Sequence, residues 1–189
     1  MSDFLKIIQN YDIVHKIYNT ELPEIESNSG KFTYGEILQS GVENLNNFIS
    51  SVSYRNGTPI SERDFFLDIG SGFGRLANHL ALISDFGKVF GVEPIESRYQ
   101  FSKKLRDELG VKNTIFINDD VKNIDLTKVN WIFMNDVLFE KEDIHYVFSN
   151  LRPGTNIISF ETINRTPHQI LSLDCSFFPL PVDFKYYKV

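Results

Sequence analysis

Phe65-Phe66-Leu67-Asp68-Ile69-Gly70-Ser71-Gly72-Phe73-Gly74 is the stretch that decides the fold. A short apolar run ends in an acid, then in three glycines at alternate positions, and Leu76, Leu80 and Ile83 follow at helical spacing. Strand, glycine turn and helix in that order open a βαβ unit. The same alternation continues downstream. Val89-Phe90-Gly91-Val92 is the next strand, and Tyr99 to Leu109 is a helix closed by Gly110. Thr114-Ile115-Phe116-Ile117 and Trp131-Ile132-Phe133-Met134 are two more strands. Ile144 to Leu151 is a helix stopped by Pro153-Gly154, and Asn156-Ile157-Ile158-Ser159-Phe160 is a fifth strand. Apolar strands alternating with helices predict an α/β domain with a mainly parallel sheet covered on both faces. The alternating segment Phe184 to Val189 is expected to add a final, antiparallel strand.

Upstream of that stretch the periodicity is helical. Phe4, Leu5, Ile8, Tyr11, Val14, Ile17 and Tyr18 mark a first amphipathic helix, and Glu21 to Lys31 reads as a loop. A second helix is expected after Tyr34, with Ile37, Leu38, Val42, Leu45, Phe48 and Ile49 on one face, broken at Asn56-Gly57-Thr58-Pro59. The chain thus divides into a helical extension, residues 1–60, and a ligand-binding sheet domain, residues 61–189.

Bulk properties narrow the functional classes. A 189-residue chain with 42% hydrophobic and 23% charged residues is an ordinary globular composition, and aromatics at 14% supply ample core. A net charge of −6 argues against a broad electrostatic grip on nucleic acid, while suiting a basic protein partner. Cys175 is the single cysteine, so no intrachain disulfide forms and a reducing compartment, cytoplasmic or nuclear, is the expectation. Neither a secretion signal nor an apolar run of membrane-spanning length is present, and His15, His79, His145 and His168 lack metal-ligand spacing.

In open parallel sheets, ligands sit beyond the carboxyl ends of the strands, where strand order reverses. Glycines at Gly70, Gly72 and Gly74 let the backbone turn sharply and approach a ligand closely, and Asp68 at the strand end can accept hydrogen bonds from a cationic amine. A nicotinamide or flavin loop reads Gly-x-Gly-x-x-Gly; here the third glycine arrives one position early and Arg75 holds the diagnostic place. That spacing favours S-adenosylmethionine, whose methionine part carries such an amine. Glu93 at the end of the next strand suits both ribose hydroxyls. Asp119-Asp120-Val121 after the third strand suits the adenine, although an aspartate there equally suits a turn or cap. The fourth strand ends in Met134-Asn135-Asp136-Val137-Leu138-Phe139, which lacks the Asn-Pro-Pro-aromatic motif of nucleobase amino methylation.

Three blocks resemble the disruptor-of-telomeric-silencing family, the non-SET histone lysine methyltransferases. They are Tyr34-Gly35-Glu36, then Phe66 to Gly74 followed by Gly91-Val92-Glu93, and Ile132 to Phe139, where the family has an Asn-Asn pair and then a phenylalanine. The resemblance runs from about Phe32 to about Phe160. It implies a Rossmann-like class I methyltransferase fold with a seven-stranded sheet, and S-adenosylmethionine as cofactor. It also implies that Tyr34 and Glu36 lie on a loop covering the cofactor. Asp68, Gly70, Ser71, Gly72 and Gly74 would hold the amino-acid portion, Glu93 the ribose, and Asp120 and Val121 the adenine. Asn135 would flank the methyl and Phe139 would wall a lysine channel, which makes Asn135, Tyr34 and Phe139 the candidate catalytic residues. Phe177-Phe178-Pro179-Leu180-Pro181 is a candidate for another channel wall, or for edge packing. The departures are Ile37 where the family places a hydroxyl, Arg75 in place of glutamine, and Asp136 in place of the second asparagine. The implied partner is a basic protein such as a histone, with a small molecule or RNA as alternative acceptors and a non-catalytic binding module as a third reading.

Overall fold

The computed structural model describes residues 3–23, 35–161, 165–176 and 178–189, with side chains of the first helix from Asn10 onward. Seven strands form one sheet: β1 (Phe65–Ile69), β2 (Lys88–Val92), β3 (Thr114–Ile117), β4 (Trp131–Met134), β5 (Asn156–Ser159), β6 (Gln169–Leu173) and β7 (Val182–Lys188). Their spatial order is β3-β2-β1-β4-β5-β7-β6. The first five run parallel, and β7 pairs antiparallel with both β5 and β6. Strand order reverses between β1 and β4, which places the ligand crevice at their carboxyl ends.

The period-2 alternation of the strands sorts the core into two layers. Phe66, Phe133, Ile158 and Phe184 meet Val42, Leu45 and Ile49 of α2 (Gln39–Arg55) and Leu76 and Leu80 of α3 (Arg75–Ile83). Their neighbours Leu67, Ile132, Ile157 and Tyr187 take the opposite face and meet Ile144, Val147 and Phe148 of α5 (Lys141–Ser149). Doubly buried strands explain why no solvent-facing polar alternation appears in β1, β4 or β5. The helix α4 (Glu96–Leu109) packs on β3 and is closed by Gly110 at φ +67°. The first helix, α1 (Asp3–Asn19), packs against α3 and α4 through the buried Val14 and Ile17.

Two expectations shift. The second helix begins at Gln39, because Ile37 and Leu38 are extended: Ile37 bridges Cys175, and the Leu38 N–H donates to the Asp174 carbonyl at 2.9 Å. Apolar periodicity alone could not separate a strand pairing from a first helical turn. The sixth strand, Gln169-Ile170-Leu171-Ser172-Leu173, does not stand out in the sequence, because it is a sheet edge with Ile170 and Ser172 exposed and only Leu173 fully buried.

Candidate active site

The loop after β1 is drawn onto the end of β2: the Gly70 and Ser71 N–H groups both donate to the Val92 carbonyl, at 2.9 and 3.0 Å. In that bend Gly70, Gly72 and Gly74 take φ of +73°, +55° and +76°. L-residues are disfavoured there by roughly 1–2 kcal/mol. Space adds a second constraint. A Cβ on Gly70 would stand 2.8 Å from Cζ of Phe139, and one on Gly74 would stand 2.5 Å from Cζ of Phe116 and 2.7 Å from Cβ of Ser102. Gly74→Ala should therefore lower stability by about 2–4 kcal/mol, combining the backbone and overpacking terms. Urea denaturation measures it; a loss below about 1 kcal/mol would mean that the loop and Phe116 yield easily.

The ends of β1 to β4 open on a cleft of about 300 Å³. Gly70, Gly72, Glu93, Asp120, Val121, Asn135 and Phe139 line it, so seven of the sequence-predicted site residues are brought together. Glu93 is 3% exposed, and its carboxylate is fixed from two sides: Gly72 N–H donates to Oε2 at 2.8 Å and Ile95 N–H to Oε1 at 3.0 Å. Burial raises its pKa, and those two amides with Arg98 partly offset the rise. Asp120 uses Oδ1 to accept the Lys122 N–H at 2.8 Å, capping the 3-10 turn Val121–Asn123, and still borders the cleft. The cap reading of that aspartate is thus met, and the residue also stands where a ligand in the cleft could reach it. The Asn135 Nδ2 group points to the Gly35 carbonyl at 3.5 Å, and Gly35 is a lining residue too.

Asp68, Ser71, Gly74 and Glu36 stand outside the lining of this cleft. Asp68 follows Phe66 by two positions and so takes the α2/α3 side of β1. Its carboxyl is 4% exposed and accepts no hydrogen bond from a described residue; burial, reinforced by the nearby Glu93, pushes its pKa up to about 8. The Ser71 hydroxyl is buried without a partner among the described residues, 2.8 Å from where a Cβ on Gly91 would lie. Glu36 lies in a neighbouring depression, where Arg75 Nη1 donates to its Oε1 at 2.5 Å. Tyr34 and Phe177 lie outside the described residues. Phe178 and Leu180 are exposed and do not border the cleft.

Other residues of the site were not singled out in the sequence. Pro94, Ile95 and Arg98 line the side next to Glu93, and Val137, Leu138, Glu140 and Asp143 line the side next to Phe139. Position just after a strand end was the available signal for Pro94, Ile95, Val137 and Leu138, whereas Arg98 lies on α4 and Asp143 on α5. Asp136 faces away from the cleft; its Oδ2 accepts from the Ser159 hydroxyl at 2.8 Å, and its Oδ1 from the N–H groups of Phe160 at 2.7 Å and Glu161 at 3.2 Å. Buried His79, its pKa pushed down to about 4 by burial, contacts the Tyr18 hydroxyl through Nδ1 at 3.1 Å. Among the described residues no cluster of His, Cys, Asp and Glu could hold a metal, and no helix is long and apolar enough to cross a membrane.

Comparison with known proteins agrees with this geometry. The "Putative methyltransferase 235L" of Invertebrate iridescent virus 6 is 20% identical over 125 residues, covering 66% of this chain and 47% of that protein. The chain therefore spans about half the length of that curated relative. An RNA methyltransferase from Salinibacter ruber, solved in complex with S-adenosyl-L-homocysteine, superposes with a TM-score of 0.59 at 17% identity, over 77% of this chain and 90% of that one. An rRNA methylase from Streptococcus thermophilus superposes with a TM-score of 0.53 at 15% identity, over 82% and 99%. At such identities the two structures speak for the fold. The family model "Histone methylation protein DOT1" matches residues 11–179. With that match covering most of the sequence, the chain belongs to the DOT1 histone-methylation family, and its sheet of order β3-β2-β1-β4-β5-β7-β6 has the class I methyltransferase fold.

Proposed function

We propose that this chain methylates a lysine amine on a basic protein, using S-adenosylmethionine. The observation that carries the reading is the placement of two acids at adjacent strand tips: Glu93 held rigid by the Gly72 and Ile95 amides, and Asp68 buried near enough for Glu93 to raise its pKa. The residues fit the cofactor. Glu93 offers its remaining lone pairs to ribose hydroxyls, Asp120 and Val121 border the cleft where the adenine would lie, Asp68 matches an ammonium, and Gly70 leaves room beside Phe139 where a side chain would intrude. When bound, that cofactor supplies an electrophilic methyl on a sulfonium, so the protein need mainly align and shield the reactants.

The acceptor side supports a cationic, aliphatic nucleophile. Val137, Leu138 and Phe139 give an apolar wall, while Glu140 and Asp143, the latter ion-paired to Lys122, put carboxylates on the same side of the cleft. Carboxylates attract a lysine ammonium from solvent, and the apolar wall disfavours its charged form closer in, lowering its pKa toward the neutral nucleophile. Asn135, with a donor and an acceptor in one plane beside Gly35, can orient the acceptor nitrogen.

The deciding experiment incubates the protein with methyl-labelled S-adenosylmethionine and separate pools of core histones, RNA and metabolites, followed by mass spectrometry. Label on histone lysine supports the proposal; label confined to RNA or metabolites ends it. Asn135→Ala should lower kcat by about 10–100-fold, the cost of misaligned reactants, while the Kd for S-adenosylhomocysteine changes less than about threefold. Equal losses in both would remove Asn135 from the acceptor side.

A further inference from the structure

Resting on the cofactor site proposed above, we infer that Arg75 is a positioning residue that clamps the Gly35–Glu36 strap against the glycine loop. Arg75 is the first residue of α3, directly after Gly74 at φ +76°, so its backbone is fixed by the same turn that builds the cofactor loop. Its side chain runs to the strap and is 9% exposed. Nη1 donates to Glu36 Oε1 at 2.5 Å, Nη2 donates to the Thr20 carbonyl just beyond α1 at 2.6 Å, and the guanidinium lies 5.9 Å from the Tyr18 ring centroid. One group therefore ties three elements that are far apart in sequence.

Further contacts hold the strap among the described residues. On its outer side the Glu36 N–H donates to Ser176 Oγ at 3.0 Å, and the Ser176 N–H returns to the Glu36 carbonyl at 2.9 Å. Ile37 bridges Cys175. On the inner side Gly35 borders the cleft, its carbonyl 3.5 Å from Asn135 Nδ2. Without Arg75 the strap would keep its edge pairing while its inner face lost a charged anchor. A planar fork is needed, because two acceptors in different directions are satisfied at once; a lysine supplies the charge but not both directions.

The test is a double-mutant cycle on Arg75→Gln and Glu36→Gln, reading S-adenosylhomocysteine Kd by calorimetry and amide exchange at residues 36–38. Each single variant should weaken binding roughly tenfold, about one charge-assisted hydrogen bond. The double variant should be no worse than either single, and exchange should rise at residues 36–38 while β1 and β4 stay protected. Arg75→Lys should recover part of the affinity. Should Arg75→Gln fail to fold, the charge-reversed pair Arg75→Glu with Glu36→Arg keeps the question open to measurement, and should restore binding toward wild type. Singles that stay within twofold of wild type, or losses that add in the double, overturn the clamp. Uniform loss of protection across the sheet also overturns it, by reducing Arg75 to a stabilising contact. No binding by the wild-type protein would overturn the cofactor site itself and the clamp with it, whereas the other failures leave that site standing.

Discussion

S-adenosylhomocysteine should bind roughly 20-fold more tightly at pH 7.5 than at pH 6, from the deprotonated fraction of a carboxyl titrating near 8. The reason is Asp68, whose pKa in the ligand-free protein is pushed up to about 8 by burial and by Glu93. An ammonium can be held only by the carboxylate. Below about 8 the site must first lose a proton, and affinity falls about tenfold for each further pH unit. Calorimetric titration in buffers of different ionisation enthalpy should register close to one proton released per ligand at pH 6. Affinity that is flat from pH 6 to 7.5 would show that Asp68 does not meet the ligand amine.

The same carboxyl sets a stability trend of known sign. Its folded pKa lies above its unfolded value of 3.8, so between about pH 4 and 8 the folded protein holds a proton that the unfolded chain has released. Stability of the ligand-free protein contributed by this group is therefore present at low pH and lost as pH rises through that window. Asp68→Asn should abolish the pH slope of binding and weaken it. It should also raise the ligand-free Tm near pH 8 by a few degrees, since about 1 kcal/mol moves the Tm of a domain this size by 2–4 °C.

Asp136→Ala should lower stability by about 2–4 kcal/mol, through leaving two or three buried donors unanswered. The Asp136 carboxylate accepts from the Ser159 hydroxyl and from the Phe160 and Glu161 amides, and so pins the end of β4 to the end of β5. Lys185 adds a contact at the same corner, donating to the Phe160 carbonyl and lying 4.9 Å from its ring centroid. Asp136→Asn should cost less than about 1 kcal/mol, because its Oδ1 can still take the two amides while the Ser159 hydroxyl turns to accept. Burial raises the Asp136 pKa against the pull of those donors, which makes a neutral amide tolerable there. Urea unfolding of both variants checks this; equal losses would mean that charge, not donor satisfaction, holds the corner.

Much of the site was legible because it rests on local backbone rules. Three glycines at alternate positions after a short apolar run specify a turn that only glycine tolerates, and the structure puts all three at positive φ. Glu93 could be placed at a strand tip by counting, since Val89 to Val92 reads as a strand on its own. Glu36 and Asp136 were not legible in the same way. The Glu36 carboxylate reaches Arg75, 39 positions away, and Asp136 spans 23 to 25 positions to its partners. Nothing local announces such pairs.

The sequence by itself determined the alternation of strand and helix, the glycine turn and the acids at the strand ends. Each follows from side-chain periodicity or from backbone torsion within a few residues. Tertiary structure alone decided the strand order, the antiparallel insertion of β7 between β5 and β6, and which acids border the cleft and which lie behind it. Those depend on which face of the sheet each residue takes and on contacts between distant segments, where burial sets whether a carboxyl stays charged.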